Sequence, residues 1–391
     1  MLKSYAIVLC FFLLETSTVF CQDKSALINT TIVNSLPDNV NIVGLGDPTH
    51  QESTITKFRI DLIKKLVTEK EFKVIAIEGN IYELYKAHQR FIEDQDISHY
   101  EKAMYGMLNA NEMEELYSFI DAENRKGNEV KFIGFDPAFS GVSFAQNMAE
   151  DLQKITTLTQ EEKDDFVVYI EKANIASLKA LFRNNKKVKE KILYYSEKIL
   201  ASYKPKNQND YFFCQALENM IFLFANDPKK EAYGVNKRDI GMAMNLDFMQ
   251  SQFPNEKIIL IGSSTHLLKS PKAIETDFFQ NERITFGHKL AEKFKKDYFY
   301  IAYTALSGTK YNYLNKSKPK EITAAIENSI EYKINQEFKT KAVYLTKEIY
   351  PMNKVLASRF MGHSFLTLNL WEVMDGLVLI NEVEPFEIKE F

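Results

Sequence analysis

The chain has 391 residues, of which 45% are hydrophobic and 26% are charged, and its formal net charge is −4. This is the composition of an ordinary globular protein, and it excludes the disordered, collagen-like and coiled-coil classes. No nucleic-acid partner is expected, because nucleic-acid binding calls for a surplus of basic residues. Glycine and proline contribute only 14 and 10 residues, so we expect few loops and many helices.

The first residues have the pattern of a secretory signal peptide. Lys3 is followed by a short apolar run over residues 5–14 and then by a polar exit at Gln22. The apolar run is too short to span a bilayer, which takes about 20 residues. We therefore predict a signal peptide over 1–21 and a secreted or periplasmic mature protein without a transmembrane segment. Cleavage is expected near Cys21, with a lipid anchor on Cys21 as the alternative.

The cysteines give no disulfide framework. Two of the three cysteines lie in the predicted leader, so the mature chain keeps only Cys214 and has no intrachain partner for it. Cys214 lies in an aromatic stretch and is interpreted as a buried apolar residue. The fold must therefore be held together by its core.

Short apolar runs with little alternation are typical of buried parallel strands. Such runs lie at 41–46, 73–78, 130–135, 257–262, 298–304, 342–345 and 377–380. Helical patterns lie between them at 53–69, with Ser53 as the N-cap, at 112–125 and at 145–154. This alternation predicts an α/β fold with a central, mostly parallel sheet flanked by helices.

The segment between the third and fourth predicted strands has a different character. Residues 159–250 are charged and contain no convincing strand, and separate helical patterns cover 161–172, 175–203 and 211–224. We therefore expect one α/β domain over 22–391 that carries a helical insertion at about 155–250.

Polar side chains follow four of the predicted strands at the point where each strand ends. The first strand ends in Asp47 and His50, the second at Glu78 and the third at Asp136, and the fourth runs into His266. Each residue taken singly could be a helix cap or an ordinary surface or core side chain. Because ligands bind at the carboxyl ends of the strands in an open parallel sheet, their convergence favours one common site. The remaining four histidines lack such neighbours and are assigned no chemistry: His88, His99, His288 and His363.

Arg59 lies on the apolar stripe of the first predicted helix. A guanidinium on a buried face requires a carboxylate partner, for which Glu78 and Asp136 are the candidates. The alternative is an arginine at the margin of the stripe whose head group reaches water.

The residue types at these strand ends suit the activation of water. A histidine with a pKa near neutral can take a proton from water, and a neighbouring carboxylate can orient its ring. His266 or Arg59 could stabilise an oxyanion. No Gly-x-Ser-x-Gly motif occurs, which disfavours a serine esterase of the α/β-hydrolase type, and no glycine-rich phosphate loop occurs.

A metal site is the alternative use of the same residues. Asp47, His50, Glu78 and His266 are adequate ligands for zinc or iron. The sequence has no tight ligand-spacing motif, so the prediction is that the site works without a metal or another cofactor.

Six motifs in the same order resemble the erythromycin esterase family, hydrolases that open macrolide lactone rings. They are Gly46-Asp47-Pro48-Thr49-His50, Arg59, the strand ending at Glu78, Gly134-Phe135-Asp136, the helix Arg238-Asp239-Ile240-Gly241-Met242-Ala243-Met244-Asn245, and His266. The segment 287–304 is also similar to a family helix that leads into a strand. The resemblance extends from about residue 35 to residue 305.

The resemblance implies an α/β core with inserted helices and a deep cleft. It implies that His50 is the general base that activates a water molecule, and that Glu78, Arg59 and His266 support it. It also implies that no metal is essential. Asp47, in the same turn as His50, is a further catalytic candidate.

The helix from Arg238 to Asn245 would line or brace the cleft, because both residues can lie on one helix face. Together with Asp136 and Ser263, these two residues are the candidate substrate-binding positions. A purely structural use of Arg238 and Asn245, as a cap and as a hydrogen bond to a loop, remains open.

The sequence departs from the family pattern at two positions. Asp47 stands where the family usually has glutamate, which shortens the reach of the carboxylate. Ser263 stands where the family has the first histidine of a His-x-x-His pair that ends at the position of His266. Both departures bear on substrate choice more than on the fold.

The sequence therefore predicts an erythromycin esterase-like hydrolase that cleaves a small-molecule ester or lactone. A macrolide, and with it antibiotic resistance, is one candidate. The alternative is a non-catalytic protein of the same fold that binds haem, iron or another small molecule. A third interpretation is a family member that has lost activity and keeps a structural role.

Overall fold

The computed structural model describes residues 25–104, 110–139, 141–174, 185–225, 231–312, 315, 318–352 and 354–387. The signal peptide predicted over 1–21 lies outside these residues, as does the first part of the helix predicted over 175–203. Within the described ranges, no helix is both long enough and apolar enough to cross a membrane.

Strands and helices alternate through most of the chain. The strands are β1 Ile42–Asp47, β2 Phe72–Asn80, β3 Lys131–Asp136, β4 Lys257–Ser263, β5 Tyr298–Lys310, β6 Lys320–Glu321, β7 Ala342–Thr346, β8 Leu356–Ser358, β9 Leu366–Leu368 and β10 Gly376–Val383. All seven predicted strands are present, and β6, β8 and β9 were not predicted. Short 3₁₀ or π turns lie at Pro271–Ala273, Phe278–Glu282 and Lys295–Asp297.

Helices occupy most of the connections. The first is α1, described over 25–35. The others are α2 Ser53–Lys70, α3 Ile81–Asp94, α4 Ser98–Ala103, α5 Met113–Arg125, α6 Phe144–Leu152, α7 Gln160–Asn174, α8 Lys186–Leu200, α9 Gln208–Phe224, α10 Glu231–Gln252, α11 Ser264–Leu267, α12 Phe286–Phe294, α13 Ile330–Phe338 and α14 Leu370–Val373.

One eight-stranded sheet forms the centre of the fold, and its main path runs β3-β2-β4-β1-β5-β10-β7. The first six strands of this path pair in parallel. The edge strand β7 pairs antiparallel with β10, and the short β6 pairs antiparallel with β5. The predicted fold class, a mostly parallel central sheet flanked by helices, is confirmed.

The sheet separates two apolar cores. On β2, Val74 and Ala76 pack into one core, whereas Ile75 and Ile77 pack into the other, because successive strand side chains point to opposite faces. The first core is completed by the helices between β3 and β4, and the second mainly by α2 and α5. Burial on both faces explains why the strand segments read as continuous apolar runs.

The chain between β3 and β4 forms helices α6 to α10, and its described residues contain no strand. The last of these helices, α10, packs against β3. Asn245 fixes this contact, because its Nδ2 donates a hydrogen bond of 3.1 Å to the carbonyl oxygen of Phe135. The inserted helices thus bring the Arg238 side chain to the carboxyl edge of the sheet.

The start of α2 differs from the prediction. Glu52, not Ser53, is the N-cap residue, and its side chain makes no capping hydrogen bond. The Ser53 N–H instead donates to the carbonyl oxygen of Glu384, at 2.9 Å. The predicted Ser53 cap is wrong because a contact with the C-terminal segment, rather than a local cap, takes up this donor.

Candidate active site

The polar residues predicted to converge do lie at the ends of neighbouring strands. The order β3-β2-β4-β1 places Asp136, Glu78, Ser263 and Asp47 at the carboxyl ends of four adjacent strands. Asp47 pairs in register with Ser263 across β1 and β4, and Asn80 pairs with Asp136 across β2 and β3. The parallel arrangement therefore assembles the site from segments that are far apart in sequence.

The turn after β1 folds His50 back onto Asp47. His50 has a φ of 58°, in the left-handed region that non-glycine residues rarely adopt. Its backbone N–H donates to Asp47 Oδ1 at 3.1 Å, and its Nδ1 lies 2.9 Å from Asp47 Oδ2. This double contact fixes both the backbone and the ring, so Nε2 is directed toward β2.

Arg59 pairs with Asp47. Its Nη2 lies 2.7 Å from Asp47 Oδ2, and the residue is buried. The predicted partners, Glu78 and Asp136, are wrong, and so is the alternative in which Arg59 reaches water. The reason is topological: α2 follows β1 directly, whereas β4 lies between β1 and the strand that carries Glu78.

Glu78 is the centre of the cluster. Its Oε2 accepts a hydrogen bond of 2.8 Å from the backbone N–H of Ser263 and lies 3.3 Å from His50 Nε2. Its Oε1 lies 2.9 Å from Arg238 Nη2 and 3.4 Å from His266 Nε2. A single carboxylate therefore faces both histidines, one through each oxygen.

A backbone irregularity aims Glu78 into the site. The pairing of β2 with β3 shifts between Ile77 and Asn80, and such bulges redirect side chains at functional edges. Gly134 on β3 makes room for it, because a Cβ there would lie 2.2 Å from the carbonyl oxygen of Gly79. The glycine of the Gly134-Phe135-Asp136 motif is thus required by the close approach of two backbones.

Arg238 joins Asp136 to Glu78. Its Nε lies 3.0 Å from Asp136 Oδ2, its Nη2 contacts both carboxylates, and its Nη1 lies 3.2 Å from His266 Nε2. The guanidinium therefore shields two carboxylates from each other while it remains beside the His266 ring.

Asp239, the neighbour of Arg238 in sequence, was not predicted as a site residue. Both of its carboxylate oxygens lie 3.0 Å from His266 Nδ1. It also accepts hydrogen bonds from Arg283 Nη2 at 2.9 Å and from the backbone N–H of Phe286 at 2.7 Å. The sequence could have pointed to such a residue only through chemistry, because a buried histidine needs a carboxylate or carbonyl to orient its second ring nitrogen.

Of the predicted substrate-binding residues Ser263 and Asn245, only Ser263 lies in the cluster around Glu78. Ser263 lies in the cluster, where its N–H binds Glu78 and its Oγ accepts from the N–H of Thr265 to cap α11. Asn245 is fully buried away from the cluster, where it accepts from Gln215 and Asn219 and donates to Phe135. The structure thus brings together every predicted site residue except Asn245, which joins helix α9 to strand β3 and, among the described residues, makes no bond to a loop as the structural alternative had it.

Replacing Asn245 with alanine is therefore expected to affect stability and not substrate affinity. The change leaves the carbonyl of Phe135 and two buried amides without their partner, which costs about 2–3 kcal/mol of unfolding free energy. Chemical denaturation measures this loss, and KM for p-nitrophenyl acetate should stay unchanged. A raised KM at unchanged stability would place Asn245 in substrate binding.

The charges of the cluster hold protons on its histidines. Burial would lower the pKa of His50, but the carboxylates of Asp47 and Glu78 outweigh it and raise that pKa to about 10. Burial would also lower the pKa of His266, but the carboxylates of Asp239 and Glu78 outweigh it and raise that pKa to about 9. Burial alone would raise the pKa of Glu78, yet the two histidines keep it well below its ordinary value.

His266 Nε2 can be satisfied in either protonation state. It lies 3.2 Å from a donor, Arg238 Nη1, and 3.4 Å from an acceptor, Glu78 Oε1. A neutral ring accepts from Arg238, and a protonated ring donates to Glu78. His50 differs, because both of its ring nitrogens face carboxylates, which favours the protonated form until Nε2 meets another partner.

The cluster nearly balances its charges. Four carboxylates, those of Asp47, Glu78, Asp136 and Asp239, contact three guanidinium groups, those of Arg59, Arg238 and Arg283. With both histidines protonated the cluster carries one positive charge in excess, and the loss of one proton from either histidine makes it neutral. This arrangement can move a proton between two imidazoles through Glu78 without leaving an uncompensated buried charge.

The described residues contain no group of three or more His, Cys, Asp or Glu side chains that could hold a metal ion. The carboxylates of the cluster face arginines instead. The geometry is that of a buried cluster of imidazoles and carboxylates with fixed positive charge beside them.

A family model for erythromycin esterase matches residues 67–382, and the chain therefore belongs to the erythromycin esterase family, a family of hydrolases. The Bacillus subtilis (strain 168) protein named "Putative hydrolase YbfO" is 24% identical over 313 residues, which cover 72% of this chain and 69% of that protein.

Solved structures share the fold. A Bacillus cereus protein superposes with a TM-score of 0.72 at 19% identity, over 90% of this chain and 91% of its own. A histidine-to-asparagine mutant of the erythromycin esterase EreC, in its open conformation, superposes with a TM-score of 0.69 at 19% identity, over 90% of this chain and 93% of its own. A protein described as a succinoglycan biosynthesis protein gives 0.70 at 18% identity, over 90% of each chain. At these identities the likeness concerns the fold alone.

Proposed function

We propose that this protein hydrolyses a carboxylic ester or lactone with a water molecule that His50 activates. The observation that carries the proposal is the chain of contacts from Asp47 through His50, Glu78 and His266 to Asp239. It alternates carboxylates and imidazoles, so each ring has one nitrogen oriented by a carboxylate and the other directed toward Glu78. Membership of a hydrolase family supports the same reaction type.

Each group has a distinct role in the proposed reaction. Asp47 orients His50 through Nδ1, and His50 in its neutral form takes a proton from water at Nε2. The hydroxide attacks the ester carbonyl, and the Arg238 guanidinium, with the His266 ring beside it, supplies positive charge for the resulting oxyanion. The tetrahedral intermediate then collapses with cleavage of the acyl C–O bond, and His50 passes its proton to the leaving alkoxide, which yields the acid and the alcohol.

A panel of esters and lactones tests the proposal. It should contain p-nitrophenyl acetate, simple lactones and a macrolide, and it should compare the wild type with His50→Ala. Turnover of at least one compound by the wild type, and its loss in the variant, is the expected result. Failure of the wild type to hydrolyse any compound faster than the variant contradicts the proposal.

The pH dependence of kcat/KM should be alkaline. His50 acts in its neutral form, whereas Asp47 and Glu78 raise its pKa to about 10. We therefore expect kcat/KM to rise with pH by about tenfold per unit from neutrality toward that pKa, since kcat/KM reports groups of the free enzyme. A flat profile between about pH 6 and pH 9 contradicts this assignment and makes Glu78, which stays ionised in that range, the base.

Stability should change in the opposite direction over the same range. A group whose pKa is raised on folding contributes stability that is fully present below the unfolded pKa and is lost as pH rises through the folded pKa. The loss begins near the ordinary histidine pKa of about 6.5 and extends to about 10 for His50 and to about 9 for His266. Urea denaturation at increasing pH measures it.

A further inference from the structure

Another buried contact between a histidine and a carboxylate lies beside the His50 turn and outside the cluster around Glu78. His363 Nε2 lies 2.6 Å from Glu52 Oε1, and both side chains are almost completely buried, at 4% and 0% exposure. The two residues are 311 positions apart in sequence. His363 takes no part in the cluster around Glu78, so its contact with the turn needs a different explanation.

The Glu52 carboxylate accepts hydrogen bonds from the residues on both sides of His50. Thr49 Oγ1 donates to Oε1 at 2.5 Å, and the backbone N–H of Gln51 donates to Oε2 at 3.1 Å. Glu52 is the N-cap residue of α2, yet its side chain makes no capping hydrogen bond. The carboxylate therefore binds the turn and not the helix end, and it fixes the two neighbours of His50.

The C-terminal segment around His363 also contacts the turn before His50. The backbone N–H of Gly362 donates to the carbonyl oxygen of Pro48 at 3.0 Å. The turn is thus fixed on one side of His50 through Pro48 and on the other side through Glu52.

This bracing matters because His50 has an unfavourable backbone conformation. Its φ of 58° is in the left-handed region, and His363 is there too, with a φ of 55°. Such conformations cost about 1–3 kcal/mol each and persist where the surroundings fix them. If the turn relaxed to ordinary φ values, the His50 ring would leave both Asp47 and Glu78.

We propose that His363 is a positioning residue, which acts through Glu52 to hold the turn 48–52 so that His50 Nε2 faces Glu78. His363 touches no reacting atom. The catalytic consequence rests on the proposed function, whereas the positional claim concerns only the His50 ring and is measurable without any substrate.

The first measurement follows the His50 ring directly. The chain has 6 histidines, so ¹⁵N-histidine NMR gives a simple spectrum in which the loss of one pair of ring-nitrogen signals in a His50→Gln variant assigns His50. We expect His363→Phe, which keeps the ring but removes the donor, to shift the His50 titration from about 10 toward the ordinary value of about 6.5. His363→Gln, whose amide can still donate to Glu52, should keep the wild-type titration.

Controls separate positioning from general loss of structure. His99→Phe is the matched control, because His99 pairs with Asp94 at the surface and should leave the His50 signals unchanged. Glu52→Gln is a second test in case His363→Phe does not fold, and it should shift His50 in the same direction. Unchanged His50 signals in folded His363→Phe or Glu52→Gln overturn the proposal.

Hydrolysis of p-nitrophenyl acetate gives the second readout. At pH 10 or above, where His50 is largely neutral in both proteins, we expect His363→Phe to lower kcat about 100-fold, since small misplacements of reacting groups can cost this much, with KM nearly unchanged and with kcat restored in His363→Gln. A merely structural role predicts a lower Tm with kcat unaffected. If the wild type does not hydrolyse esters, the proposed function fails, and the NMR result alone decides the role of His363.

Discussion

Replacing His50 with alanine is expected to reduce kcat/KM for ester hydrolysis by about 10³-fold, because a positioned general base contributes about 10²–10⁴-fold. The fold should survive, since both carboxylates that face the ring keep other partners. Asp47 still pairs with Arg59, and Glu78 still binds Arg238 and the N–H of Ser263. Steady-state kinetics on the best ester of the panel measures the loss.

The matched control for His50→Ala is His99→Ala. His99 also pairs with a carboxylate, Asp94, but at the surface and outside the cluster, so its removal should leave kcat/KM within about twofold of the wild type. If the His50→Ala protein keeps more than about a tenth of the wild-type kcat/KM, the loss is smaller than a general base contributes, and His50 is ruled out as the base.

Replacing Arg238 with methionine is expected to cause the largest loss of stability. The change leaves Asp136 and Glu78 buried and close together without the guanidinium that neutralises them. Breaking a buried ion pair by the removal of one partner costs about 3–5 kcal/mol. Chemical denaturation near neutral pH should show this loss.

An exposed pair of the same type is the control. Arg90 Nη2 lies 2.7 Å from Glu150 Oε2 on the surface, and exposed pairs contribute about 0–1 kcal/mol. Arg90→Met should therefore change stability little. Adding Asp136→Asn to Arg238→Met should recover part of the loss, because residues in contact have coupled effects. If Arg238→Met costs no more than Arg90→Met, the cluster is not a compensated buried network.

The central sheet could be predicted because its strands are buried on both faces. Runs such as 73–78 and 257–262 show no alternation, and the first ends in Glu78 while Ser263 directly follows the second, so both the strand and its carboxyl end are visible in the sequence. The pairs β8 with β9 and β5 with β6 were missed. Strands of two or three residues carry too little periodicity, and their partners define them.

The members of the site could be predicted better than their contacts. The strand-end rule brings Asp47, Glu78 and Asp136 to one edge whatever the order of the strands. The partner of Arg59 depends on that order, because β4 inserts between β1 and β2, and no local pattern encodes this insertion. Asp239 was missed because its role depends on how α10 packs against β3.

His363 shows the limit of sequence patterns most clearly. It lies in an irregular C-terminal segment, and its contact with Glu52 joins residues 311 positions apart. Neither residue belongs to a periodic element that predicts the contact. Only the folded chain places this histidine beside the turn that holds His50.

The most direct test of water activation at His50 is a single turnover of a hydrolysed ester in H₂¹⁸O with enzyme in excess. We predict that one ¹⁸O atom enters the product acid in the first turnover, that the protein mass stays unchanged, and that His50→Ala gives no product on the same timescale. An acyl-enzyme adduct, ¹⁸O in the protein, or undiminished turnover by His50→Ala would contradict the account.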